Sequence, residues 1–142
     1  MKNLRRIVTL ALLFSFCAAA QTTFQPKFKG DPAKSDSEEV ALGWLRTVVR
    51  AQKRYYKNMG NKYAPSLKAL VGHASFTKRM ADPERGDYTA EFHHKKDGYS
   101  LTMVPKQFDA THRSFYVDED GKIRVETDKP ATASSPILKA ES

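Results

Sequence analysis

The spacing of apolar and polar side chains changes period once along this chain. Over residues 38–59 (EEVALGWLRTVVRAQKRYYKNM) the apolar positions recur at helical intervals. At about 100° per residue, Val40, Ala41, Trp44, Leu45, Val48, Val49, Ala51, Tyr55, Tyr56 and Met59 fall on one broad arc. Ser35 and Asp36 each stand three residues before a glutamate, Glu38 and Glu39, which is capping-box spacing and marks the helix start. Gly60, with Asn61 behind it, supplies a left-handed stop. Gly43 inside the helix costs about 1 kcal/mol relative to alanine, so packing must outweigh it.

Downstream of the helix, Pro65 with Leu67 and Leu70 predicts a turn and a short second helix over residues 63–70. Phe76 and Met80, four apart, allow one more helical turn before Pro83 ends it. From Tyr88 the period becomes two. Tyr88, Ala90 and Phe92 alternate with Thr89, Glu91 and His93, and Lys96-Asp97-Gly98 reads as a hairpin. Tyr99, Leu101 and Met103 form the returning strand, closed by Pro105. Phe115 and Val117 make a third, the run 118–121 a turn, and Ile123 with Val125 a fourth. The expected fold is therefore α+β, one long N-terminal helix packed on a four-stranded antiparallel β-meander. Tyr88, Phe92, Leu101, Met103, Phe115, Val117 and Ile123 would meet Trp44, Val48 and Tyr55 in the core. The domain is placed at 37–126, with a flexible leader over 21–36 and a disordered tail over 127–142, where prolines and small residues leave little to bury.

The first twenty residues change the picture of the cellular address. Lys2, Arg5 and Arg6 precede a short apolar run from Ile7 to Phe16, and Ala18, Ala19 and Ala20 place small side chains where a signal peptidase requires them. The run is shorter than the roughly 20 apolar residues a spanning helix needs. Cleavage before Gln21 is expected, with export to the periplasm or the exterior and no stable membrane span thereafter. Two rivals are weaker. Cys17 as a lipid acceptor would want a small residue where Phe16 stands, and an uncleaved anchor would need a longer run. Cys17 is the only cysteine, so its loss with the signal leaves no disulfide, thiol nucleophile or thiolate ligand.

The whole chain carries a formal charge of +8. Without Lys2, Arg5 and Arg6, 21 basic residues face 16 acidic ones, a net charge of +5. That balance favours anionic surroundings. The excess is concentrated: Arg46, Arg50, Lys53, Arg54 and Lys57 share roughly 100° of the helix opposite its apolar arc, with no acid among them. Such a stripe is either a solvated face or an electrostatic footprint for an anionic polymer, with Tyr56 at its edge able to stack. The apolar arc spans about 200°, wider than one packed face requires. Leu42, Val49 and Tyr56 lie at its far edge, to be covered by the 71–85 connection or by a partner chain.

The remaining chemistry is thin. His73, His93, His94 and His112 invite a metal, but His93 and His94 are adjacent on a strand and point to opposite faces. No carboxylate stands at zinc-motif spacing. Asp118, Glu119, Asp120 and Asp128 resemble a calcium loop only loosely, and a hairpin turn accounts for Asp120-Gly121. Ser114 near His112 lacks an assignable orienting acid, and no nucleophile elbow or phosphate loop is present. The residues predict a non-enzymatic protein with no metal and no cofactor.

The order and wording of several segments resemble the globular part of type IV pilin-like and type II secretion pseudopilin-like proteins. They are Leu45-Arg46-Thr47 leading to Tyr55-Tyr56, then Gly60 to Tyr63, then Ala64-Pro65-Ser66-Leu67-Lys68-Ala69-Leu70. Asp97-Gly98-Tyr99-Ser100-Leu101 follows, and finally the run from Arg113 to Arg124. The glycine–phenylalanine processing site, nearby glutamate and long apolar segment of such pilins have no counterpart here, so fibre assembly is not implied. What the resemblance implies is a secreted, non-catalytic domain acting through contacts with envelope or secretion-associated proteins. The alternative, from the residues themselves, is a binding module for an anionic polymer or surface: nucleic acid, acidic glycan or phospholipid.

Overall fold

The computed structural model describes residues 23–140, so the signal segment lies outside the described residues. A single long helix, α1 (Asp36–Asn58), is capped by Ser35, whose hydroxyl accepts from the Glu38 N–H at 3.1 Å. Its carbonyls are closed at the other end by the Asn61 N–H, 3.0 Å from the Tyr56 oxygen, with Gly60 and Asn61 both at positive φ. Both ends thus stop where their side chains predict.

Two short 3-10 helices follow, Lys68–Leu70 and Lys78–Ala81. The sheet then has five strands, not four: β1 (Glu84–Arg85), β2 (Tyr88–Lys95), β3 (Gly98–Pro105), β4 (Ser114–Asp118) and β5 (Arg124–Glu126), antiparallel in sequential order. The extra strand is the two-residue β1, which pairs Glu84 with Thr89 and Arg85 with Tyr88. It is too short for alternation to reveal, and Pro83 before it reads as a terminator.

The α+β architecture holds, with α1 laid on one face of the meander. Leu45, Val48, Tyr88, Leu101, Met103, Phe115 and Val117 are buried in one cluster, with Tyr55, Phe92 and Ile123 packed at its margin. The 71–85 connection does fold back, against the Trp44 and Tyr55 side of α1. Trp44 Nε1 donates to the Met80 carbonyl at 3.0 Å, Arg85 lies over the indole, and His73 packs on Tyr55. Val40, placed on the apolar arc by periodicity, is 58 % exposed, left uncovered at that edge by the described residues.

Two segments expected to be loose are tied down instead. Residues 127–140 return along β5: the Val125 N–H donates to the Pro136 carbonyl and the Leu138 N–H to the Ile123 carbonyl. Ala131 N–H donates to Ser114 Oγ at 2.9 Å, and Ala131 is buried. The expected disordered tail is therefore corrected for 127–140; backbone pairing along an open sheet edge supplies what its side chains lack. In the leader, Asp31 and Ala33 are buried, so its last turns belong to the domain.

What locks leader, helix and sheet together is one buried ion pair. Glu38 reaches across to Arg113, with Nε–Oε1 at 2.9 Å and Nη2–Oε2 at 2.7 Å, and also accepts from the Arg113 and Lys34 N–H groups. Arg113 Nη2 donates in addition to the Pro32 carbonyl. Read from sequence, Glu38 is a helix-capping side chain; in the fold it is also the anchor of the loop before β4.

Candidate functional site

The outward side of α1 is where the charge collects. Arg50, Lys53, Arg54 and Lys57 recur at three- and four-residue intervals, so their stems stack on one face over two turns. All four are exposed, and none makes an ion pair among the described residues. Together with Ala74 they line a shallow depression of about 220 Å³. Arg50 is steadied by donating to Thr47 Oγ1 at 3.1 Å. Lys53 lies over the β4–β5 turn, close to Gly121.

Arg46 departs from this set. Asp31, buried at the end of the leader, holds its guanidinium at 3.1 Å. Counting acids along the helix alone missed this partner, because it comes from a segment without periodicity. The stripe of five thus becomes a cluster of four.

Tyr56 belongs to a second, neighbouring feature. A groove of about 770 Å³ runs past the C-terminal end of α1, lined by Tyr55, Tyr56, Tyr63, Lys62, His94 and Lys96 among others. Tyr56 and Tyr63 pack ring to ring with centroids 4.7 Å apart, and Tyr63 contacts Tyr99. Partial burial, reinforced by the neighbouring Tyr56, raises the pKa of the Tyr63 phenol above its ordinary value. The loop residues Lys62 and Tyr63 and the β2–β3 hairpin meet the helix here only because the chain turns back at Gly60. A polar loop and a hairpin tip carry no sequence signal of that meeting.

The proposed contact residues Leu42 and Val49 are not available. Leu42 is 0 % and Val49 9 % exposed. The cover is intramolecular, and on Val49 it includes the Gly121 turn, where a Cβ would stand 3.7 Å from Val49 Cγ1. Of the three, only Tyr56 keeps open surface.

The other candidates for chemistry separate in space. Ser114 is buried, donating to the Met103 carbonyl and accepting from Ala131, and no base faces it. His112 sits between two carboxylates, Nδ1 at 3.0 Å from Asp109 and Nε2 at 3.4 Å from Asp87. The hydrogen bond that His112 donates to Asp109 raises the imidazole pKa and, with the bonds Asp109 accepts from Thr111, pulls Asp109 down to about 2. Two hydroxyls touch this cluster: Thr111 Oγ1 stands 3.2 Å from His112 Nδ1 and donates to Asp109 at 2.9 Å, and Ser37 donates to Asp87. Both ring nitrogens face carboxylates, and the nitrogen beside Thr111 is the one that Asp109 already engages, which favours a protonated imidazole over a free general base. His93 and His94 are exposed on β2, and no group of three or more His, Cys, Asp or Glu among the described residues is placed to hold a metal ion. In the β4–β5 turn, Asp118 and Asp120 accept from local backbone N–H groups, Asp120 also meets Arg124 at 3.5 Å, and Glu119 meets Lys95 at 3.8 Å.

In comparisons with known proteins, no family model, curated protein or solved structure matches the chain. No helix among the described residues is long and apolar enough to cross a membrane. The arrangement offers charge and aromatic surface for binding; among the described residues Thr111, His112 and Asp109 bring a hydroxyl, an imidazole and a carboxylate together on a single ring nitrogen rather than in a relay.

Proposed function

We propose that this chain is an exported, non-catalytic pilin-like domain that acts in the cell envelope through protein–protein contacts. The observation that carries the reading is the order of elements. One long helix lays its apolar face on a sequential antiparallel meander, the order the resembling segments follow in pilin-like proteins. The signal-like first twenty residues support the address. The centre of the apolar arc, Ala41, Leu42, Trp44, Leu45, Val48 and Val49, is buried in the domain's own core, so partner contacts fall to the polar face of α1, its exposed edges and the loops beside it. The test is expression with the N-terminus intact, followed by fractionation, N-terminal sequencing and cross-linking in whole cells. Mature protein beginning near Gln21 and cross-linked to an envelope protein through α1 lysines is the expected result. A full-length cytosolic product without such cross-links would refute the reading.

A second reading is favoured by a specific observation, the four cations around one depression that have no ion-pair partner among the described residues. On this reading the domain binds an anionic polymer or surface through Arg50, Lys53, Arg54 and Lys57. Retention on heparin should fall steeply with salt and drop in the Arg50→Glu/Arg54→Glu variant. Retention unchanged by that double reversal would leave the cluster as solvated surface.

A further inference from the structure

The basic depression and the tyrosine groove are neighbours on the same helix. Lys53 and Tyr56 are three residues apart and Lys53 and Lys57 four apart, so each pair shares a face. From Arg50 to Asn58 the helix advances about 12 Å at its standard rise. Beyond Gly60 the groove continues the path with Tyr63 and two more cations, Lys62 and Lys96, against a single lining acid, Asp97. A ligand following this path would meet a row of positive charge along one side. On the other it would meet the half-exposed rings of Tyr55, Tyr56 and Tyr63.

We infer that this continuous track binds single-stranded nucleic acid, with phosphates along Arg50, Lys53, Arg54 and Lys57 and bases in the tyrosine groove. The inference rests on the second reading above, that the basic face takes a polyanion, and adds which polyanion. Two features favour a single strand. Every base offers a flat π-face that stacks on aromatic rings without regard to sequence, whereas duplex DNA keeps its base faces covered. The groove, about 770 Å³, has the volume to take unpaired bases beside the tyrosine rings. A flat lipid surface would engage the cations without needing the tyrosines, and an acidic glycan has no bases to stack.

The experiment uses the purified protein and a thymidylate dodecamer, with heparin and phosphatidylglycerol vesicles as competing polyanions. Dodecamer affinity should fall with salt with a log–log slope of about three, the value for four phosphate contacts on a single strand. The Tyr56→Ala/Tyr63→Ala variant should lose about 5- to 150-fold in affinity per base unstacked, with its salt slope and heparin binding unchanged. Thermal unfolding followed at Trp44 checks that the variant is folded. Independently of any variant, light-induced cross-linking of a bromodeoxyuridine-substituted strand should mark Tyr55, Tyr56 or Tyr63.

If the tyrosine variant binds the dodecamer like the parent and cross-links fall elsewhere, the track is refuted. Loss of dodecamer and heparin binding together in Arg50→Glu/Arg54→Glu would then leave the basic-face reading standing. Tighter binding of heparin or vesicles than of the dodecamer would likewise overturn the single-strand assignment in favour of a glycan or a membrane. No binding to any of the three at low salt would overturn both readings.

Discussion

The Glu38–Arg113 pair offers the sharpest quantitative prediction. Its side chains are 0 % and 9 % exposed. The carboxylate accepts four hydrogen bonds: two from the guanidinium and one each from the Lys34 and Arg113 backbones. Replacing Arg113 with methionine strands a buried carboxylate on two N–H groups, which should cost about 3–5 kcal/mol. Replacing Glu38 with leucine strands the guanidinium and should cost about as much. A helix-capping role alone would predict only about 1 kcal/mol for Glu38 and nothing for Arg113. The double variant Glu38→Leu/Arg113→Met removes both charges and leaves mainly the buried Arg113 N–H unpartnered, about 1–3 kcal/mol. It should therefore be no less stable than either single variant, a coupling of about 3 kcal/mol or more. Urea unfolding can be followed at Trp44, the only tryptophan and nearly fully buried. A stabilising osmolyte keeps a native baseline against a total stability of about 5–15 kcal/mol. Single variants that each cost under about 1 kcal/mol, or that add in the double, would refute the pair as the anchor of this fold.

Gly43→Ala should stabilise the protein by about 0.5–1 kcal/mol, since nothing lies within 4 Å of a Cβ at that helical position; a lower melting temperature would mean the glycine is needed for contact. Gln52→Leu should cost about 1–3 kcal/mol, because the buried amide accepts from the Ala64 N–H at 2.9 Å, and an unchanged urea midpoint would contradict that accounting. The His112 cluster predicts a pH window. The raised imidazole pKa gives a contribution complete below the unfolded value of 6.5 and lost as pH rises through the folded one. The lowered Asp109 and Asp87 values give contributions present above 3.8 and lost on acidification. Parent and His112→Gln should thus differ most in melting temperature near pH 5 and least above pH 8; a difference independent of pH would exclude the ion-pair origin.

The sequence by itself determined the elements whose signals are local. Ser35 and Gly60 mark the ends of α1 because capping uses side chains adjacent in the chain, and alternation in Tyr88–Lys95 and Gly98–Pro105 needs no knowledge of what lies opposite. The core face followed from the same periodicities, so Leu45, Val48, Leu101, Phe115 and Val117 were legible in advance. So was the basic face, since stacking at three and four residues is a property of the helix alone. Only tertiary structure decided which of those charges are free and which edges are covered. Arg46 is neutralised by an aspartate fifteen residues away in an aperiodic leader, and Arg113 meets Glu38 across 75 residues. Val49 is covered by a turn, the open edge of β5 by a tail of small residues, and Tyr56 joins Tyr63 and Lys96 in one groove. Each of these depends on segments far apart in the chain that meet in the tertiary fold. Pairing between distant residues leaves no period in either partner, which is why spacing alone could not disclose it.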